Sequence, residues 1–198
     1  MGLDDLPRIE IESRGEWRRW LERNHASAAG VWVVTFKKAA GDRYVSWGDL
    51  VAEALAFGWI DSLRRPVDEH RSQQLVTPRK PKSGWSRVNK QRVEELEAQG
   101  LMTEAGRAAI ERAKSNGSWS ALDEVEMLIE PDDLGGALDS DPAARRHWDE
   151  FPRSAKRAIL EWVGSAKRPE TRERRVSETA RLAAEGIRAN QPRQPKGR

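Results

Sequence analysis

Three stretches of this chain open on a hydroxyl residue and close on a glycine: Ser46 to Gly58, Ser86 to Gly100 and Thr103 to Gly117. A serine or threonine side chain accepts from a free N–H in a helix's first turn, and glycine enters the left-handed region cheaply at its end. Such punctuation on both sides fixes three helices of bounded length before composition is considered. In the first of them Trp47, Leu50, Val51 and Ala54 share a face. Ser13 opens a fourth helix, in which Trp17, Trp20 and Leu21 fall at helical spacing.

Between these helices the pattern turns extended. "GVWVVTFKK", opened by Gly30, is rich in β-branched and aromatic residues and reads as a central strand. "WIDSLRRPVDEHRSQQLVTPR" holds two extended runs around a turn near Pro66–Glu69, which predicts a β-hairpin of residues 59–65 and 72–78. Beyond Gly117 the chain is helical throughout. "PDDLGGALDSDPAARRHWDEF" reads as two short pieces broken by Gly135, Gly136 and Pro142. Two stronger helices follow, one with Ala155, Ile159, Trp162 and Val163 on a stripe, the other opened by Pro169 with Val176, Ala180, Ala183, Ala184 and Ile187 on its apolar face. The expected fold class is α+β: an N-terminal region mixing helices with a small antiparallel sheet, then an all-helical C-terminal part. The organisation reads as an N-terminal extension (1–12), an α+β domain (13–117), a helical region (118–188) and a disordered basic tail (189–198).

Nine tryptophans stand against one tyrosine and three phenylalanines. An indole buries a large area but needs a partner for its N–H, so such a core implies apolar walls beside polar groups. The chain has no cysteine, which removes disulfides, thiolate chemistry and cysteine-bound zinc. The N-terminal segment is acidic without a continuous apolar stretch, Leu6 breaks the myristoylation pattern, and no run is long and apolar enough to span a membrane. A cytoplasmic location is the expectation.

Net charge is +3, and its distribution says more than its size. "TPRKPKSGWSRVNKQRV", Thr77 to Val93, carries six basic residues and no acidic one. Residues 94–139 hold twelve acidic against three basic, and 153–175 eight basic against three acidic. His25, His70 and His147 are far apart and lack the spacing that presents two metal ligands on a helix. No nucleophile elbow, phosphate loop or dinucleotide fingerprint is present. No metal and no cofactor is expected.

Three segments carry the functional candidates. In "ALAFGWIDSLRR" a helix stops at Gly58, Trp59 and Ile60 start a strand, and Asp61 follows as a buried acid, an arginine's partner or a turn residue. In the basic stretch, Pro78 and Pro81 favour an extended run that splays Arg79 and Lys80 apart. Trp85 then precedes the Ser86 cap, with Lys82 and Arg87 around a helix N-terminus suited to an anion. In "SAKRPETRERR", Arg168, Arg172 and Arg175 form a helical stripe, either solvated or phosphate-contacting.

"ALAFGWIDS", "TPRKPKSGWSRVNKQRV" with "GLMTEAG" after it, and "AKRPETRERR", in this order and spacing, resemble the YdeI/OmpD-associated family, also labelled bacteriocin-protection proteins. The resemblance runs from Trp17 to about Gly186 and brings no catalytic residue with it. Relatives often carry a cysteine in the segment corresponding to "ALAFGWID"; here Ala56 stands in that neighbourhood and reads as a core residue. The expected role is binding of a small anionic or phosphorylated ligand by Trp59, Asp61, Arg64, Arg79, Lys82, Trp85, Ser86, Asn89 and Arg172. The alternatives are nucleic-acid binding through the basic segments, metal-independent catalysis by Asp61, and protection against stress or peptide toxins by protein contact, which the family label implies.

Overall fold

The computed structural model describes residues 2–191. The chain divides into two compact units, Met1–Ala121 and Leu122–Arg198.

The first unit is a four-stranded sheet with four helices. Strands β1 (Arg8–Ile11), β2 (Val31–Phe36), β3 (Trp59–Pro66) and β4 (Arg71–Pro78) lie in the order β1-β2-β4-β3. The expected hairpin is present: β3 and β4 pair antiparallel, and β4 pairs antiparallel with β2. The sheet also contains a parallel pair, β1 with β2, joined through α1 (Arg14–Asn24). The sequence reading missed β1, which the N-terminal segment supplies. Its four residues alternate, with Ile9 and Ile11 packed on the core and Arg8 and Glu10 on the other face.

Helices α2 (Trp47–Ala56), α3 (Arg87–Ala98) and α4 (Glu104–Ser115) stand where the punctuation placed them. Ser13, Ser46, Ser86 and Thr103 each accept a backbone N–H in the first turn of their helix. The core gathers Trp17 and Leu21 of α1, Leu50, Val51 and Leu55 of α2, Val31, Val33 and Val76 of the sheet, and Val93, Leu96 and Ile110 of α3 and α4. The buried indoles find backbone acceptors: Trp17 donates to the Leu50 carbonyl at 3.0 Å, Trp32 to Leu3 at 2.8 Å and Trp59 to His25 at 3.2 Å. Each bond removes the penalty that an unpaired N–H would carry.

The end of α2 brings "ALAFGW" against "GLMTEAG". The Ala56 carbonyl accepts from both the backbone N–H and the hydroxyl of Thr103, at 3.1 and 2.6 Å, so the cap of α4 satisfies an orphan acceptor of α2. A Cβ on Gly106 would lie 2.3 Å from that carbonyl oxygen, so the two helix ends meet only because residue 106 has none. Gly58, at φ 73°, turns the chain from α2 into β3 against α4. Ala56 itself is buried, as a core residue should be.

The second unit is helical: α5 (Asp123–Met127), α6 (Asp132–Asp139), α7 (Pro142–Glu150), α8 (Arg153–Gly164) and α9 (Pro169–Ala184). Its core holds Leu134, Leu138, Trp148, Ile159, Leu160, Val163, Val176 and Ala183. Gly135 and Gly136 do not break the chain; α6 runs through them and the break falls at Ser140–Asp141. The Asp141 carboxylate accepts from Ala143 at 2.8 Å, and Pro142 has no N–H to offer a continuing helix. A glycine costs only about 1 kcal/mol in a helix, which burial of Leu134 and Leu138 offsets. Of the basic tail expected at 189–198, residues 192–198 lie outside the described residues, and Ala189 is buried in the helical core.

Candidate functional site

Between the sheet and the start of α2 the first unit holds a cleft of about 220 Å³. Thr35, Lys37 and Lys38 line it from the end of β2, Tyr44 and Trp47 from the run into α2, Arg64 from β3, and Ser72 and Gln74 from β4. The register builds its floor. Thr35 pairs with Ser72 and Arg64 pairs with Gln74, all on the face that covers the core.

Arg64 reaches that face through a β-bulge. The pairing passes from Asp61–Val76 to Arg64–Gln74, so three steps on β3 answer two on β4. Strict alternation from Asp61 would send Arg64 to the far side, and the extra residue re-aims it. Arg65 consequently points to the opposite face, where its guanidinium lies 4.8 Å from the Trp32 ring. Arg64 donates to the Ser72 hydroxyl at 3.2 Å. Lys37 donates to the backbone carbonyls of Asp68 and Glu69. Among the described residues no carboxylate side chain lines the cleft. A second hollow, around Trp20, contrasts with it: Glu10 and Glu16 there balance Arg19 and Arg23.

Asp61 is not a lining residue but bonds two that are. Its Oδ2 accepts from the Trp47 indole at 2.9 Å and, more weakly, from the Gln74 amide at 3.5 Å. Arg92 of α3 lies 4.8 Å from the Trp47 ring and donates to Asn89 Oδ1 at 3.2 Å. The Asn89 backbone in turn donates to the Ser86 hydroxyl. Asn89 thus reaches the cleft wall only through Arg92, and Ser86 serves as the cap of α3.

The rest of the expected set lies elsewhere. Trp59 is a core residue, packed edge-on against Trp20. Trp85 is buried beside Trp119. Arg79 places its guanidinium carbon 3.8 Å from the centre of the Trp85 ring, donates from Nη2 to the Gly84 carbonyl, and leaves its Nε and Nη1 buried without partners. Burial lowers its pKa to about 10, an effect the Asp61 charge partly offsets. Lys80 is exposed, so the two neighbours do splay apart. Lys82 is exposed on the loop. Arg172 belongs to the second unit, where its guanidinium grips the Asp133 carboxylate with two bonds of 2.6 and 2.8 Å. Two of the three arginines of the expected stripe are thus engaged, since Arg175 packs on Trp162 and bonds the Trp162 carbonyl and the Ser165 hydroxyl, while Arg168 is exposed.

The sequence reading missed Lys37, Lys38, Tyr44, Trp47, Ser72, Gln74 and Arg92. Trp47 had a visible signal, since the residue after an N-cap lies at the mouth of a helix rather than deep on its face. The reading also missed Glu53, the buried acid of α2, held by Arg14 at 2.6 Å and Arg18 at 2.9 Å. Among the described residues no three histidine, aspartate or glutamate side chains form a metal-holding group, and no helix is long and apolar enough to cross a membrane.

The family model for a domain of unknown function, DUF8412, matches residues 9–109, a little over half of the chain. The chain belongs to the DUF8412 family. The cleft and the Ala56–Thr103 junction both fall inside that match. A second model, "Bacteriocin-protection, YdeI or OmpD-Associated", matches residues 127–186. The likeness to that family is therefore narrower than the run from Trp17 to Gly186 that the sequence implied. It holds "AKRPETRERR", whereas "ALAFGWIDS" and "TPRKPKSGWSRVNKQRV" lie in the DUF8412 part. No curated protein and no solved structure matches the chain.

Proposed function

We propose that this DUF8412 chain is a cytoplasmic binding protein whose cleft takes a small anionic or phosphorylated ligand. One observation carries the reading: Lys37, Lys38 and Arg64 line a cleft that has hydroxyl and amide donors at Thr35, Tyr44, Ser72 and Gln74 and no carboxylate among the described lining residues. Cations that meet no lining carboxylate, with Lys37 steadied by the Asp68 and Glu69 carbonyls, favour an anion beside neutral donors and disfavour a cation. Arg64 suits a phosphate or carboxylate because its planar fork presents paired donors. Asp61 holds two lining residues, and its bonds to Trp47 and Gln74 suit a fixed anchor better than a proton carrier.

A role in protection against peptide toxins would rest on the printed name of the second family, whose match excludes every cleft residue. The test is calorimetric titration with inorganic phosphate, phenyl phosphate and citrate. Binding of at least one, weakened tenfold or more by Arg64→Ala with an unchanged melting temperature, is the expected result. No heat from any of the three, or full binding by Arg64→Ala, would overturn the reading.

A further inference from the structure

One wall of the cleft is more than an inorganic anion requires. Trp47 is 47 % exposed, whereas Trp17, Trp32, Trp59, Trp85 and Trp148 are buried. The ring is nevertheless held in place. Its N–H is pinned by Asp61 Oδ2 at 2.9 Å, and the Arg92 guanidinium lies against it at 4.8 Å. Trp47 is thus an indole fixed at its edge, with a cation over its ring and about half of the residue still exposed, in the lining of the cleft. The cation draws on the ring's π density, so the indole suits a second planar ring better than a second cation. Stacking of two rings adds to the gain from area alone.

We infer that the ligand is a small planar organic anion: one conjugated ring bearing a phosphate or carboxylate. The ring stacks on Trp47, and the anionic group meets Arg64, Lys38 and the hydroxyls of Thr35 and Ser72. The inference rests on the anion-binding reading and adds flatness to charge. The cleft, at about 220 Å³, takes one ring and its anionic group rather than a larger nucleotide assembly, below the usual range for drug-sized ligands. Asp61 is a positioning residue, acting through Trp47.

Phenyl phosphate, cyclohexyl phosphate and inorganic phosphate separate the two ideas, because the first two differ in flatness and share their charge. The wild-type protein binds phenyl phosphate about tenfold more tightly than cyclohexyl phosphate. Trp47→Leu brings the two esters to equal affinity and leaves inorganic phosphate unchanged, while Trp47→Phe keeps part of the preference. Asp61→Asn, which retains an acceptor for the indole, preserves the preference, and Asp61→Leu loses it; melting temperatures accompany both. Equal affinity of the two esters for the wild-type protein would overturn the planar ligand and leave anion binding standing. So would a Trp47→Leu variant that loses inorganic phosphate as well. Failure of these three probes, and of benzoate and citrate beside them, to bind would overturn both readings.

Discussion

The cleft of the first unit and the helices of the second use arginine in different ways, although elsewhere in the first unit arginines such as Arg14, Arg18, Arg71 and Arg107 are also paired with carboxylates. In the second, Arg145 meets Glu130, Asp139 and Asp149, Arg157 meets Glu126 and Glu161, and Arg172 meets Asp133. In the cleft of the first, Arg64 bonds one hydroxyl. "SAKRPETRERR" is the denser run of positive charge, yet carboxylates or carbonyls hold Arg172 and Arg175. Availability for a ligand follows from the counter-ions that folding brings up, which local charge density does not report.

Glycine draws the same contrast, and there the largest effect is expected. Gly106→Ala places a Cβ 2.3 Å from the Ala56 carbonyl and parts α2 from α4. Denaturant unfolding should show a loss of about 3 kcal/mol. Gly136→Ala in α6 meets nothing within 4 Å. It should raise stability by up to about 1 kcal/mol through helix propensity. Equal effects at the two positions would show that α2 and α4 do not depend on their contact.

Arginine substitution sharpens the comparison next. Arg145→Ala strips Glu130 of a charged partner beside the Trp148 indole, which bonds the same carboxylate at 2.6 Å. It should cost about 2 kcal/mol, the scale of charge-assisted hydrogen bonds. Arg64→Ala removes one hydroxyl contact from an exposed side chain and should stay within about 0.5 kcal/mol of the wild type while losing phosphate binding. An Arg64→Ala variant as unstable as Arg145→Ala would assign both residues to the frame.

The elements were legible because their signals are local: a hydroxyl before a helix, a glycine after it, alternation in a strand. β1 escaped because two isoleucines in four residues carry little signal, and its partner strand lies beyond a whole helix. The site was legible in part. Asp61 and Arg64 sit at the cleft, but Arg64 faces it through a bulge that no pattern of residue types announces. Trp59 and Trp85 were grouped with them for their rings, and both proved to be core. Arg79 and Arg172 were grouped for their charge, and one is buried while the other is paired. Contacts such as Trp47–Asp61 and Arg92–Trp47 join residues from different elements, and a sequence does not print that distance.

Arg79 marks a smaller effect with a defined pH course. A buried guanidinium with two partnerless nitrogens is costly, and an apolar side chain of similar length removes that cost. Arg79→Met should match or exceed the wild type in stability, by up to about 1 kcal/mol. A base whose pKa is lowered in the folded state penalises folding at every pH below that value, and the penalty eases only as pH rises past about 10. The gap between variant and wild type should therefore stay constant between about pH 6 and 9 and narrow above about pH 10. A variant markedly less stable than the wild type would mean that the contact with Trp85 and the bond to Gly84 outweigh the unpaired groups.

The smallest effect belongs to Arg172 and Asp133. Hydrogen bonds from Arg172 hold the Asp133 carboxyl below the usual aspartate value. A depressed acid contributes stability above its unfolded pKa, about 3.9, and loses it as pH falls through the lower folded value. Both side chains are more than a third or nearly a third exposed, so solvent screens the pair and its worth is about 0.5 kcal/mol. Arg172→Ala should show that deficit at neutral pH, and the deficit should vanish as pH drops below about 4. Phosphate affinity should be untouched, because Asp133 already occupies the guanidinium. A variant that unfolds as the wild type does but binds phosphate poorly would return Arg172 to the ligand site, and would end the distinction between a paired Arg172 and an open Arg64.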